Sequence, residues 1–137
     1  MLIFGLILTI NGIKKWKINK ESVINPIQKK ELNDTYNLMI SNGDNHINHK
    51  EYESAIKEYT QAIEINPNKL IARERLAYAY YKTCIDENQN CEHALELYKN
   101  LKKEKRTDLY IKRYAEIRAK IRQSEKVNKA FKEFNKN

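Results

Sequence analysis

A chain of 137 residues has room for one domain and not for two large ones. With 32% charged residues, 41% apolar residues, three Gly and two Pro, it is too poor in turn formers for a compact β fold and suits solvated helices. The net charge of +8 is uneven: residues 1–50 carry seven Lys against four acids, residues 51–98 five basic against nine acidic groups, and residues 99–137 fourteen basic against five acidic groups.

Residues 2–10 form an apolar run that extends weakly to Ile13 and is followed at once by Lys14, Lys15, Trp16 and Lys17. The run is shorter than the ~20 residues that span a bilayer comfortably. It has the length of a signal-peptide core, but no basic stretch precedes it and no A-x-A-like cleavage site follows. Lysines after the run favour a cytoplasmic C-terminal side, with Trp16 at the lipid interface. The expectation is a membrane-associated segment over 1–13 with the folded domain facing the cytoplasm. Export after signal-peptide cleavage is the alternative. Residues 14–25 read as a tether, because Asn25-Pro26 looks like an N-cap followed by Pro at the first helical position.

From Tyr36 to Asn68, Gly43 is followed by Tyr52, Ala55, Tyr59, Ala62 and Pro67. Ala55, Tyr59 and Ala62 recur at i, i+4, i+7, one helical face. Two small residues let a preceding helix approach, the ring between them fills the gap, and Gly43 makes room from the other side. Pro67 ends the second helix, since it cannot continue the hydrogen-bond ladder. This pattern resembles the tetratricopeptide repeat. A second copy is expected ~34 residues on, where Ala77 matches Gly43 and Tyr80 matches His46. The register then slips: Ala94 and Tyr98 stand 39 residues after Ala55 and Tyr59, so five residues are inserted within 83–91.

The resemblance implies an all-α fold, a TPR-like right-handed solenoid of antiparallel helix hairpins with a C-terminal capping helix. Repeats fill 26–106, the first at 36–68 and the second at 70–106. Beyond Arg106, Tyr110, Tyr114, Ile117 and Ile121 form a helical stripe, and Ala130 and Phe134 echo the Ala-to-aromatic step. Residues 107–137 therefore read as a basic capping helix, which covers the open end that such arrays leave, or as a degenerate third repeat.

Cys84 and Cys91 bracket the insertion. Antiparallel helix ends can bring their Cα atoms within disulfide range. A disulfide needs an oxidising compartment, against which the lysine bias argues, so a bridge and two free thiols both stand. His46, His49 and His93 carry no metal-ligand spacing, and no nucleophile elbow, phosphate-binding Gly loop or dinucleotide fingerprint is present. No catalysis, metal or cofactor is expected.

By the resemblance, the first helix of each repeat lines a concave groove for peptides or partner helices. Carried over by position, that groove shows Ile40, Asp44 and Ile47 from the first repeat and Ile71, Glu74, Tyr78 and Tyr81 from the second. Co-chaperone domains of this family hold a chaperone's C-terminal carboxylate with a Lys and an Asn where this sequence has Ile40 and Asp44, which argues against that clamp. The expected function is a non-catalytic protein-interaction module near a membrane, its protein or peptide partner unidentified. The alternative is binding of nucleic acid or anionic lipid through the basic C-terminal helix.

Overall fold

A computed structural model describes residues 25–135. The expected apolar segment at 1–13 and nearly all of the tether at 14–25 lie outside the described residues. Five helices follow one another in the described chain: α1 Pro26–Asn48, α2 Tyr52–Ile65, α3 Leu70–Glu87, α4 Cys91–Glu104 and α5 Asp108–Phe134. No helix among the described residues is long and apolar enough to cross a membrane.

Two compact units divide the chain after Asp34. In the first, only residues 25–34 are described. There the Oδ1 of Asn25 accepts the backbone N–H of Ile27 at 3.2 Å, and Pro26 opens α1. Both residues satisfy or remove a donor that a helix start leaves unpaired.

In the second unit, α3 packs against α2, α4 and α5, and α4 against α5. The first hairpin is organised around Tyr59. Its ring is fully buried, as are Ala55 and Ala62 on either side of it. A Cβ on Gly43 would lie 2.7 Å from the Tyr59 Cζ, so only a residue without a side chain fits there. The Tyr59 hydroxyl donates to Asp44 Oδ1 at 2.6 Å, and Arg75 Nε reaches the same oxygen at 3.1 Å. One carboxylate therefore satisfies a core phenol and ties α1 to α3.

The second hairpin repeats this packing with Ala77, Ala94 and Tyr98, which are all buried. Ile40 and Ile47 were expected in the groove, but they are half-buried and pack on the core. Ile40 touches the Tyr36–Ala62–Ala72 cluster, and both touch the Ala55–Tyr59–Ala79 cluster. Tyr80 is only partly buried and stacks on His93, their ring centroids 5.4 Å apart.

The insertion lengthens α3, which runs on to Glu87 before a turn of Asn88, Gln89 and Asn90. Asn88 and Asn90 hold φ of 57° and 56°. Asn is among the few non-glycine residues that enter this left-handed region readily. The sulfurs of Cys84 and Cys91 are bonded, with their Cα atoms 4.6 Å apart. Cys84 lies in the last turns of α3 and Cys91 is the first residue of α4, so the bond closes the inserted turn.

Residues 108–134, expected as a capping helix or a degenerate third repeat, form one unbroken helix, α5. Tyr110 and Ile117 are buried and Tyr114 and Ile121 pack beside them, but the echoed Ala130 and Phe134 are exposed. Thr107 caps α5 by accepting the Tyr110 N–H at 3.2 Å.

The core depends on neutral phenols. Burial is the largest cause raising Tyr59, Tyr98 and Tyr81, with Tyr81 pushed up to about 12, helped by its bond to Glu116. In the unfolded chain these phenols ionise near 10. Above that pH the unfolded state binds fewer protons than the folded one, so stability falls as pH rises. The domain should hold full stability below about pH 10 and lose it between about 10 and 12. Circular dichroism together with the tyrosinate absorbance would follow this, and ionisation of all phenols at pH 10 without unfolding would contradict it.

Candidate functional site

On the second unit a cavity of about 690 Å³ opens between α3 and α5, with Tyr98 at its base and Lys105 on its rim. From α3, Ile71, Glu74, Arg75 and Tyr78 line it at successive turns. They share one side of α3 because residues three and four apart stack along a helix. Leu109, Tyr110 and Arg113 face them from α5.

Charge is distributed unequally along this cavity. The Tyr110 hydroxyl donates to Glu74, so that carboxylate is already engaged, and Arg75 is shared with Asp44. The Arg113 guanidinium donates to the Tyr98 hydroxyl at 2.8 Å and lies 4.4 Å from the Tyr78 ring centroid and 5.3 Å from that of Tyr81. Aromatic faces fix this cation without neutralising it. Among the described residues, neither Arg113 nor Lys105 has a carboxylate partner. Beside them, Ile71 and Leu109 remain 53% and 48% exposed.

Three of the residues expected from the second repeat therefore line one cavity: Ile71, Glu74 and Tyr78. Tyr81 does not line it. Its hydroxyl donates to Glu116 at 2.8 Å, and its ring stacks on Tyr78 with centroids 6.1 Å apart, so it fastens α3 to α5. Asp44 is turned to Tyr59 and Arg75, and Ile40 to the core, so neither position offers a cation to a carboxylate. Tyr52, the first residue of α2, donates to Asp86 Oδ2 at 2.5 Å, while Lys82 pairs with the same oxygen at 2.7 Å. These two contacts hold the Asp86 carboxyl below its usual range. His46 Nδ1 contacts Glu51 Oε2 at 2.5 Å across the first turn. No group of three metal-ligating side chains occurs among the described residues.

The α5 half of the site was not read from the sequence. Leu109 and Arg113 stand next to the Tyr110–Tyr114–Ile117 stripe on a neighbouring face. Their i, i+4 spacing was available, but a stripe marks only the face that packs.

The repeat geometry now has a counterpart outside this chain. Residues 43–83 match the family model described as TPR repeat. Residues 43–83 carry a TPR repeat. No curated protein and no solved structure matched it. The match begins at the glycine that admits Tyr59 and ends at Thr83, where the insertion begins. TPR repeats are generally non-catalytic scaffolds for protein interaction, and in TPR terms α1 and α3 are first helices and α2 and α4 second helices of their hairpins.

Proposed function

We propose that this TPR chain acts by binding, not catalysis, and that the cavity between α3 and α5 receives an extended segment of a partner protein carrying an acidic residue beside an apolar one. The observation that carries this is the pairing of Arg113 and Lys105, which lack a carboxylate partner among the described residues, with the half-exposed side chains of Ile71 and Leu109. An incoming carboxylate gains charge-assisted hydrogen bonds, and the apolar neighbour covers Ile71 and Leu109. Selection from a displayed library of random dodecapeptides should enrich acidic-apolar pairs. The exposed substitutions Lys105→Glu and Leu109→Ser should each weaken a selected peptide about tenfold, and Arg113→Gln at least as much. Peptides without acidic residues, or affinities unmoved by all three substitutions, would reject the reading.

We also propose that the TPR domain works in an oxidising compartment. The bond between Cys84 and Cys91 supports this. It favours export over a cytoplasmic face, whether residues 1–13 are kept as a membrane anchor or removed. Alkylation of intact cells' protein before and after reduction tests it. Recovery of both thiols already alkylated without reductant would place the domain on the reducing side.

A further inference from the structure

The last three turns of α5 carry a face that nothing in the repeat uses. Val127, Phe131 and Phe134 recur at i, i+4, i+7 and are 63%, 66% and 79% exposed, with exposed Ala130 between them. This face does not continue the packing stripe. The stripe passes from Ile117 and Ile121 to Ser124, whose hydroxyl donates to Asn88 Oδ1 at 3.0 Å, and then to the polar Asn128. The apolar face opens about a quarter turn away, where a further helix stacked on the stripe would leave it uncovered.

The charge around it is one-sided. Residues 118–134 hold six basic side chains against two acids. Lys126 flanks the apolar face, while Arg122, Lys129 and Lys132 cover the side away from it. Among the described residues, only Lys129 of these has a carboxylate near, Glu133 at 4.0 Å. A helix with aromatic rings on one face and lysines on the other suits the boundary between headgroups and acyl chains, where rings enter the apolar layer and lysine stems reach back to phosphates. Nucleic acid fits less well, because its phosphates and bases would have to meet opposite sides of one helix. A second copy fits less well too, since four side chains fall far short of the ~800 Å² per partner of a stable interface.

We infer that residues 124–134 form an amphipathic anchor for an anionic lipid surface, independent of the peptide-binding cavity. The apolar run at 2–10, with Lys14, Lys15 and Lys17 after it, supplies a second membrane-seeking segment in the same sequence. Two weak signals make a stable attachment where one does not.

The test must read the tail itself, because residues 2–10 can bind vesicles alone. Hydrogen–deuterium exchange of the full chain would be followed at 124–134 with phosphatidylcholine vesicles, with vesicles also containing phosphatidylglycerol, and with random-sequence RNA. Exchange there should slow about tenfold or more on the anionic vesicles only, and the slowing should vanish in Phe131→Ala/Phe134→Ala and fade with added salt. Both positions are exposed, so this variant keeps its fold, which its melting curve would verify. Slowing by RNA in place of vesicles, slowing with protein concentration alone, equal slowing on neutral vesicles, or none at all would each overturn the inference.

Discussion

Replacing Gly43 by Ala should destabilise the TPR unit by about 2 kcal/mol, although Ala is the better helix former. Taken alone, helix propensity favours Ala by about 1 kcal/mol. The new methyl would, however, lie 2.7 Å from Tyr59 Cζ and 2.8 Å from Cδ1. The ring cannot retreat: it is fully buried between Ala55 and Ala62, and its hydroxyl is held by Asp44. Overpacking of this kind costs about 1–3 kcal/mol or more, and here the upper end applies because the obstacle is a rigid ring. The melting temperature should fall by roughly 10 °C. The mechanism has its own check. Tyr59→Leu removes the ring, so Gly43→Ala should cost much less in that background, a non-additivity expected only of residues in contact. Equal costs in both backgrounds, or an unchanged melting temperature, would show that Gly43 is not there to admit the ring.

Gly43 and Tyr59 also mark what the sequence could convey. Their spacing, with Ala55, Ala62 and Pro67, is a packing requirement written in local residue types, so the first hairpin was legible. The second was legible through the same types at Ala77, Ala94 and Tyr98, displaced by five inserted residues. What the insertion does was less legible. Asn88 and Asn90 sit among many Asn residues, and their left-handed backbone appears only in three dimensions. The cavity was half legible. Ile71, Glu74 and Tyr78 followed from position within a repeat, whereas Leu109 and Arg113 belong to a helix with no repeat signature to give it a register. Ile40 and Ile47 illustrate the opposite limit: a position that faces the groove in the family's pattern can turn to the core when an apolar side chain occupies it.

Breaking the Cys84–Cys91 bond should lower stability by about 2.5 kcal/mol. The two residues are seven apart, and closing so short a loop removes conformational entropy from the unfolded chain of about that size. The folded side contributes a specific consequence. The bond clasps the extra turn that the insertion adds to α3, just before the left-handed Asn88 and Asn90. Other contacts at that turn are the bonds of Asp86 to Tyr52 and Lys82 and of Asn88 to Ser124, the Gln89 N–H on the Thr83 carbonyl, and Ile85 packed on the core. Denaturant titration with and without reductant should show the reduced protein's midpoint shifted down at unchanged slope, and Cys84→Ala/Cys91→Ala should match it without reductant. Amide exchange should quicken first at 84–90, before the Tyr59 core responds. A midpoint indifferent to reductant would mean the helix ends are held by packing alone. With the bond formed, the second repeat tolerates five extra residues without losing the contact of Ala94 and Tyr98 with α3, and so keeps Tyr98 beneath Arg113 at the base of the cavity.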